Sequence, residues 1–258
     1  MRENVDRRVL AGFRCVDAIT SLSILSPLSV TAAPLVLHRN QRGVFGVMDA
    51  PGLTALTNEF LAPSPSSWPA PSLYEITIQD PSLRYLARRA KIAAPQPLPV
   101  NPPPAPSGAA TPPVTTPQQV TMYPTTAAPV GPNWAVLRVL VVSNATPPAP
   151  LPWAVIQVQG VVSPAPSGLT NLNGEALLAI PGLGLKLSSS STGAVTEATV
   201  AATVTAFFDP ATLTQPRGWV PNPDDILANP SSPAWKSASQ SVQLGSGQTV
   251  FVTITISM

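Results

Sequence analysis

Gly168-Leu-Thr-Asn171-Leu-Asn-Gly174-Glu-Ala-Leu-Leu-Ala-Ile180-Pro-Gly182 is the stretch whose reading decides the fold. Asn171 and Asn173 can bond locally to the backbone and tolerate left-handed conformations, and Gly174 supplies a positive φ. Asn171-Leu-Asn-Gly174 is therefore a hairpin turn between two strands. Elsewhere the chain shows the period-two alternation of half-buried strands, in Trp153-Ala-Val-Ile-Gln-Val-Gln159, Ala198 to Phe207 and Gln248-Thr-Val-Phe-Val-Thr-Ile-Thr-Ile-Ser257. Helical periodicity is confined to Leu53 to Phe60 and Asp224 to Ala228, the latter led by Pro223 and by acids suited to a helix N-terminus.

The same signals occur twice. The second series runs from Pro152-Trp-Ala-Val through Asn171-Leu-Asn-Gly174 and Ile180-Pro181-Gly182-Leu183 to Thr205-Ala-Phe-Phe-Asp209-Pro210. The first runs from Pro27-Leu-Ser-Val through Asn40-Gln-Arg-Gly43 and Ala50-Pro51-Gly52-Leu53 to Ile76-Thr-Ile-Gln-Asp80-Pro81. Gly43 precedes Asp80 by 37 residues and Gly174 precedes Asp209 by 35, a spacing that implies two related domains. Between them, residues 95–132 hold 13 of the 34 prolines, and no charge occurs between Lys91 and Arg138, which predicts an extended, polyproline-like linker. The expected organisation is all-β: a first β-sandwich over 1–94 with a basic C-terminal end, a Pro-rich linker over 95–133, and a second β-sandwich over 134–258.

Composition narrows the function. Proline plus glycine, 49 of 258 residues, is too much for a helical bundle, and 26 charged side chains are too few for an expanded disordered chain. A net charge of +2 gives no strong field for nucleic acid or an anionic membrane. No window offers the roughly 18 consecutive apolar residues of a membrane helix. Arg7 and Arg8 precede an apolar stretch from Ile19 to Leu37, but Asp6, Asp17 and the interrupting serines argue against a signal peptide, so synthesis in the cytoplasm is expected. One cysteine, Cys15, forms no internal disulfide, and one histidine, His38, builds no Cys/His metal site; no cofactor is expected.

Residues able to carry chemistry are few. A Ser-His-Asp arrangement would need His38 with Asp17 or Asp49, and there is no G-x-S-x-G elbow to expose a nucleophile. Cys15, between Phe13 and Val16, reads as a small core hydrophobe. Asp224 and Asp225 suit helix capping better than calcium or glycoside chemistry, and Gly182-Leu-Gly-Leu lacks the Lys-Ser/Thr of a phosphate loop. The basic run Arg84, Arg88, Arg89 and Lys91 is either a guarded strand edge or a partner contact. Trp68, Trp134, Trp153, Trp219 and Trp235 all read as core residues and loop anchors. Trp219 and Trp235, in and beside the Pro-rich stretch from Gln215 to Pro233, are also candidates for a protein or sugar contact.

The stretch from Gly168 to Gly182 resembles the transthyretin-like or carboxypeptidase-regulatory-like β-sandwich, in which a Thr-Asp/Asn-x-x-Gly turn joins two core strands. The resemblance extends over 134–258 and more loosely over 10–94, where the first copy lacks the Thr before Asn40 and has a longer loop after Pro51. It implies a noncatalytic module. Arg8-Val-Leu-Ala-Gly-Phe-Arg-Cys-Val-Asp-Ala-Ile-Thr20, with Asp80-Pro-Ser-Leu-Arg-Tyr-Leu-Ala-Arg-Arg89, is similar to proteins encoded with contractile phage-tail-like injection particles. That similarity implies a cap, collar or baseplate-peripheral component, contacting tube, sheath or other subunits in several symmetric copies. The rival expectations are a surface adhesin or carbohydrate-binding sandwich, and a small hydrolase built on His38.

Overall fold

The computed structural model describes residues 9–53, 69–96, 116–183, 188–189, 195–196, 199–216 and 218–258. The first repeat supplies seven strands, β1 (Ala11–Asp17), β2 (Ser29–Thr31), β3 (Val36–Arg39), β4 (Val44–Asp49), β5 (Ser72–Gln79), β6 (Arg88–Ala94) and β7 (Gln118–Met122). They form two sheets, ordered β3-β4-β1-β7 and β2-β5-β6. The second repeat supplies β8 (Ala135–Ser143), β9 (Val155–Gln159), β10 (Ser167–Leu169), β11 (Glu175–Ile180), a small β12–β13 hairpin (Ser188–Ser189 with Val195–Thr196), β14 (Val200–Phe208), β15 (Lys236–Leu244) and β16 (Thr249–Ile256). Its main sheets are β10-β9-β14-β15 and β11-β8-β16. A short 3-10 helix (Pro210–Thr214) follows β14, and the helix α1 (Pro223–Ala228) forms where the proline and acids predict it. Both repeats are β-sandwiches.

The repeat read from turn residues extends to topology. Matching β1, β4 and β7 to β8, β11 and β16 gives the same sheet order, β4-β1-β7 against β11-β8-β16. Matching β2, β5 and β6 to β9, β14 and β15 gives the other. The turns share the same side-chain-to-backbone bonds. Asn40 Oδ1 accepts from the N–H groups of Arg42 and Val44 at 2.9 and 3.0 Å. Asn171 Oδ1 accepts from those of Asn173 and Glu175 at 2.8 and 3.0 Å. Gly43 and Gly174 take φ of 76° and 73°.

One strand breaks the correspondence. β3 pairs with β4, whereas β10 pairs with β9 in the opposite sheet. The residue before the turn explains the difference. Thr170 is fully buried; its hydroxyl donates to Leu151 O at 2.9 Å and accepts from Ala154 N–H at 2.8 Å, tying β10 to the chain entering β9. The first repeat has Arg39 there, which lies over Phe45 at 5.3 Å and donates to Leu25 O and Ser26 O at 3.0 and 2.8 Å.

The core of the second sandwich is the set of inward positions that alternation selects. Leu137, Val139 and Val141 of β8, Leu178 and Ile180 of β11, and Val252, Ile254 and Ile256 of β16 face Ile156, Val158, Val204, Phe208 and Leu244. Each such side chain contributes about 1.5–3 kcal/mol on burial. In the first sandwich Leu10, Ala11, Val47, Ala50, Leu53 and Ala94 form one buried cluster, and Phe13 stacks on Phe45 with ring centroids 5.0 Å apart.

Two boundaries differ from expectation. Residues 118–122, expected in the linker, are β7, in the same sheet as β1. Gln96 Nε2 donates to Thr116 O at 2.9 Å, so the two ends of the Pro-rich stretch meet and it joins β6 to β7 as an insertion. Residues 97–115 lie outside the described residues, as do 54–60 of the expected helix after Leu53. The chain also divides differently from 1–94 and 134–258. One compact unit comprises Met1–Val16, Ser23–Ile78 and Ala90–Val120, and the other comprises Asp17–Leu22, Gln79–Arg89 and Thr121–Met258. The basic run from Arg84 to Arg89 thus belongs to the second unit.

Candidate partner-contact surface

Within the second unit, two loops are organised by carboxylates. Asp80, only 4% exposed, accepts from the Ser82 N–H and hydroxyl on Oδ1 (2.9 and 2.7 Å) and from the Arg84 and Tyr85 N–H groups on Oδ2 (2.9 and 3.1 Å). Burial alone would raise its pKa; the Ser82 hydroxyl and these N–H donors outweigh that and hold it below the ordinary carboxylate value. Asp17 Oδ1 accepts from the Ile19 and Thr20 N–H groups, and its Oδ2 accepts the Tyr85 hydroxyl at 2.8 Å. Burial and this neighbouring carboxylate push the Tyr85 phenol above its usual range. Between those fixed points the loops present Leu22, 69% exposed, and Leu83, 77% exposed. Leu83 holds a left-handed φ of 56°, uncommon for a residue with a bulky side chain. Arg84 beside it is exposed.

Arg88 does not serve as a surface contact. It is fully buried: Nε donates to Arg89 O at 3.0 Å, Nη1 to Thr121 O at 2.6 Å, and Nη2 to Asn222 Oδ1 at 3.2 Å and to Asp224 Oδ2. Its guanidinium also lies 5.8 Å from the Tyr123 ring centroid. The expectation of a solvated basic run fails here because one cation finds, inside the unit, two carbonyls, an amide oxygen and a carboxylate. Asp224 accordingly anchors α1 as well as standing in its first turn.

The two tryptophans do not combine into an open platform. Arg89 stacks 4.8 Å from the Trp219 ring centroid while its Nε donates to Val220 O at 2.7 Å. Trp235 donates from Nε1 to Asn229 O at 2.9 Å and packs against a buried cluster of Tyr123, Val155, Leu169, Phe207 and Ile226. Trp68 lies outside the described residues.

A surface feature the sequence reading passed over is a groove of about 360 Å³ on the outer face of the β11-β8-β16 sheet. Thr126, Arg138, Leu140, Glu175, Phe251 and Thr253 line it. Phe251 is 76% exposed and Leu140 37%. Arg138 Nη1 donates to Thr126 O at 3.1 Å, and Glu175 Oε2 accepts from Asn171 Nδ2 at 3.1 Å. The signal was legible: outward positions of β16 read Thr249, Phe251, Thr253, Thr255, and only the phenylalanine departs from a polar series.

Elsewhere, Cys15 is buried in β1, and His38 is exposed on β3 with no hydrogen-bonded carboxylate among the described residues. Asp49 Oδ1 accepts from the Ala50 N–H. Among the described residues no group of three or more His, Cys, Asp or Glu side chains could hold a metal ion, and no described helix is long and apolar enough to cross a membrane.

Fold and surface together define a tandem β-sandwich protein. No protein-family model matches the chain, and no curated protein matches it. Among solved structures it is similar to the Bacillus anthracis TIE protein at 11% identity, with 96% of this chain and 34% of that chain covered and a TM-score of 0.27. The chain thus spans about a third of that protein's length, and a likeness this slight bears on neither fold nor function.

Proposed function

We infer that the chain is a noncatalytic structural component of a large protein assembly. The observation that carries this reading is the Arg88 network. The fully buried Arg88 binds residues 89, 121, 222 and 224 into one block, where a catalytic site would aim such a group at a cavity. The repeated sandwich supports the same reading, since two rigid blocks with loops at their ends suit a spacer or adaptor. The sequence similarity of residues 8–20 and 80–89 points to a cap, collar or baseplate-peripheral post in a contractile tail-like injection particle. Its partners there are tube, sheath or neighbouring cap subunits, and the chain is made in the cytoplasm and leaves the cell with the particle. The glycan-binding rival is weakened by Arg89, which already covers a face of Trp219.

The Pro-rich insertion supplies the test. Because Gln96 and Thr116 meet, replacing 97–115 by a short Gly-Ser turn should leave the protein folded, as judged by circular dichroism and thermal melting. On the assembly reading the insertion drapes over adjacent subunits, and the shortened chain fails to enter particles. Full incorporation of the shortened chain removes the draping role.

A further inference from the structure

The knob made by Leu83 and Arg84 and the groove beside Phe251 lie on neighbouring parts of one surface of the second unit. Thr125 donates from its N–H to Arg84 O at 2.9 Å and from its hydroxyl to Leu83 O at 3.1 Å. The next residue, Thr126, lines the groove and accepts from Arg138. An exposed leucine and an exposed arginine are thus tied through Thr125 to the edge of a groove that holds Leu140 and Phe251 together with a carboxylate, Glu175, and Arg138.

We propose that this surface is the two-fold interface between two copies of the chain, with Leu83 of each copy seated in the groove of the other and Arg84 paired with Glu175. A patch that carries both a projection and a matching hollow, and both signs of charge, is self-complementary. That is the condition for an isologous contact, in which residue i of one copy meets residue j of its mate and the reverse. A heterologous partner would need only one half of each pair. The groove volume of about 360 Å³ accommodates a leucine side chain over Leu140 and Phe251 with the polar rim left to the charges. The left-handed backbone at Leu83 fits the same purpose. Asp80, Tyr85 and Thr125 fix a conformation that leucine disfavours, and the result is an apolar anchor already ordered before association. The interface rests on the surface of the second unit alone and stands or falls independently of any particle.

Sedimentation velocity on the full chain over a concentration series up to about 1 mM decides it. The wild-type chain should form a dimer. Leu83→Asn removes the knob and installs a residue at ease with φ of 56°, so it should weaken the dimer at least about tenfold while raising the melting temperature. Arg84→Glu and Glu175→Arg should each weaken it about tenfold, and the double variant should restore it to near wild type. A wild-type chain that stays monomeric at the highest concentration, a dimer indifferent to Leu83→Asn, or a charge-reversed double variant no better than the singles overturns the proposal. A monomeric wild type would assign the surface to a different protein.

Discussion

Gly174 shows how much one position can fix. Its φ of 73° would strain any residue with a Cβ, and an added Cβ would lie 2.5 Å from Val141 O. Gly174→Ala should therefore cost more than 1 kcal/mol, about 2–4 kcal/mol with the backbone clash included, whereas Asn173→Gly should be nearly neutral. Urea unfolding checks both. Arg88 makes the opposite case, a charge whose placement was not legible. A run of four basic residues looks solvated, and nothing local reveals that Thr121, Asn222 and Asp224 converge on one of them. Arg88→Ala leaves a cavity and unpaired acceptors and should cost about 2–4 kcal/mol. Asp224→Asn keeps an acceptor but removes the carboxylate facing a fully buried guanidinium, and should cost about 1–3 kcal/mol, tempered by the partial exposure of Asp224. Asp80 adds a pH signature. Its folded pKa lies below the ordinary 3.8, so its contribution is present above about pH 4 and is lost as pH falls through the folded value. Acid unfolding of wild type compared with Asp80→Asn should show the wild type losing its advantage in that window. Parallel curves would contradict the account of the loop.

At the scale of elements, the alternation that marks β9, β14 and β16 was readable because inward positions of each are apolar and most outward ones polar, Val155 and Phe207 being outward positions covered by a second buried cluster. β7 was not. Gln118-Gln-Val-Thr-Met122 is five residues long and sits between Pro117 and Pro124, so its surroundings read as linker and only pairing in the β1 sheet makes it a strand. The switch of β10 into the sheet opposite that of β3 was half visible, in the threonine that precedes one turn and not the other. Thr170→Val keeps the shape and removes both hydroxyl bonds. It should destabilise the second sandwich by about 1–3 kcal/mol and expose the Ala154 amide to hydrogen exchange, leaving exchange in β11 little changed. Equal loss of protection along β11 would mean that Thr170 serves general packing and does not place β10.

For the whole molecule, two related β-sandwiches were expected from turn residues alone, whereas their shared sheet order became visible only in the structure. The division of the chain into compact units was not foreseen, because it depends on where Asp17–Leu22 and Gln79–Arg89 find their contacts, a long-range matter no local pattern records. The outward Phe251 stands out in the sequence of β16, but the groove around it needs three strands and Thr126 to exist, and that assembly no local pattern records. A structural role in an assembly makes its most direct claim on stoichiometry. Source-cell lysate separated on a density gradient, with each fraction quantified by mass spectrometry, tests that claim. The account predicts that the chain peaks with sedimenting particles and keeps a constant molar ratio to a tube or sheath protein across those fractions. A chain found only at the top of the gradient, in no fixed ratio to any particle subunit, would contradict it.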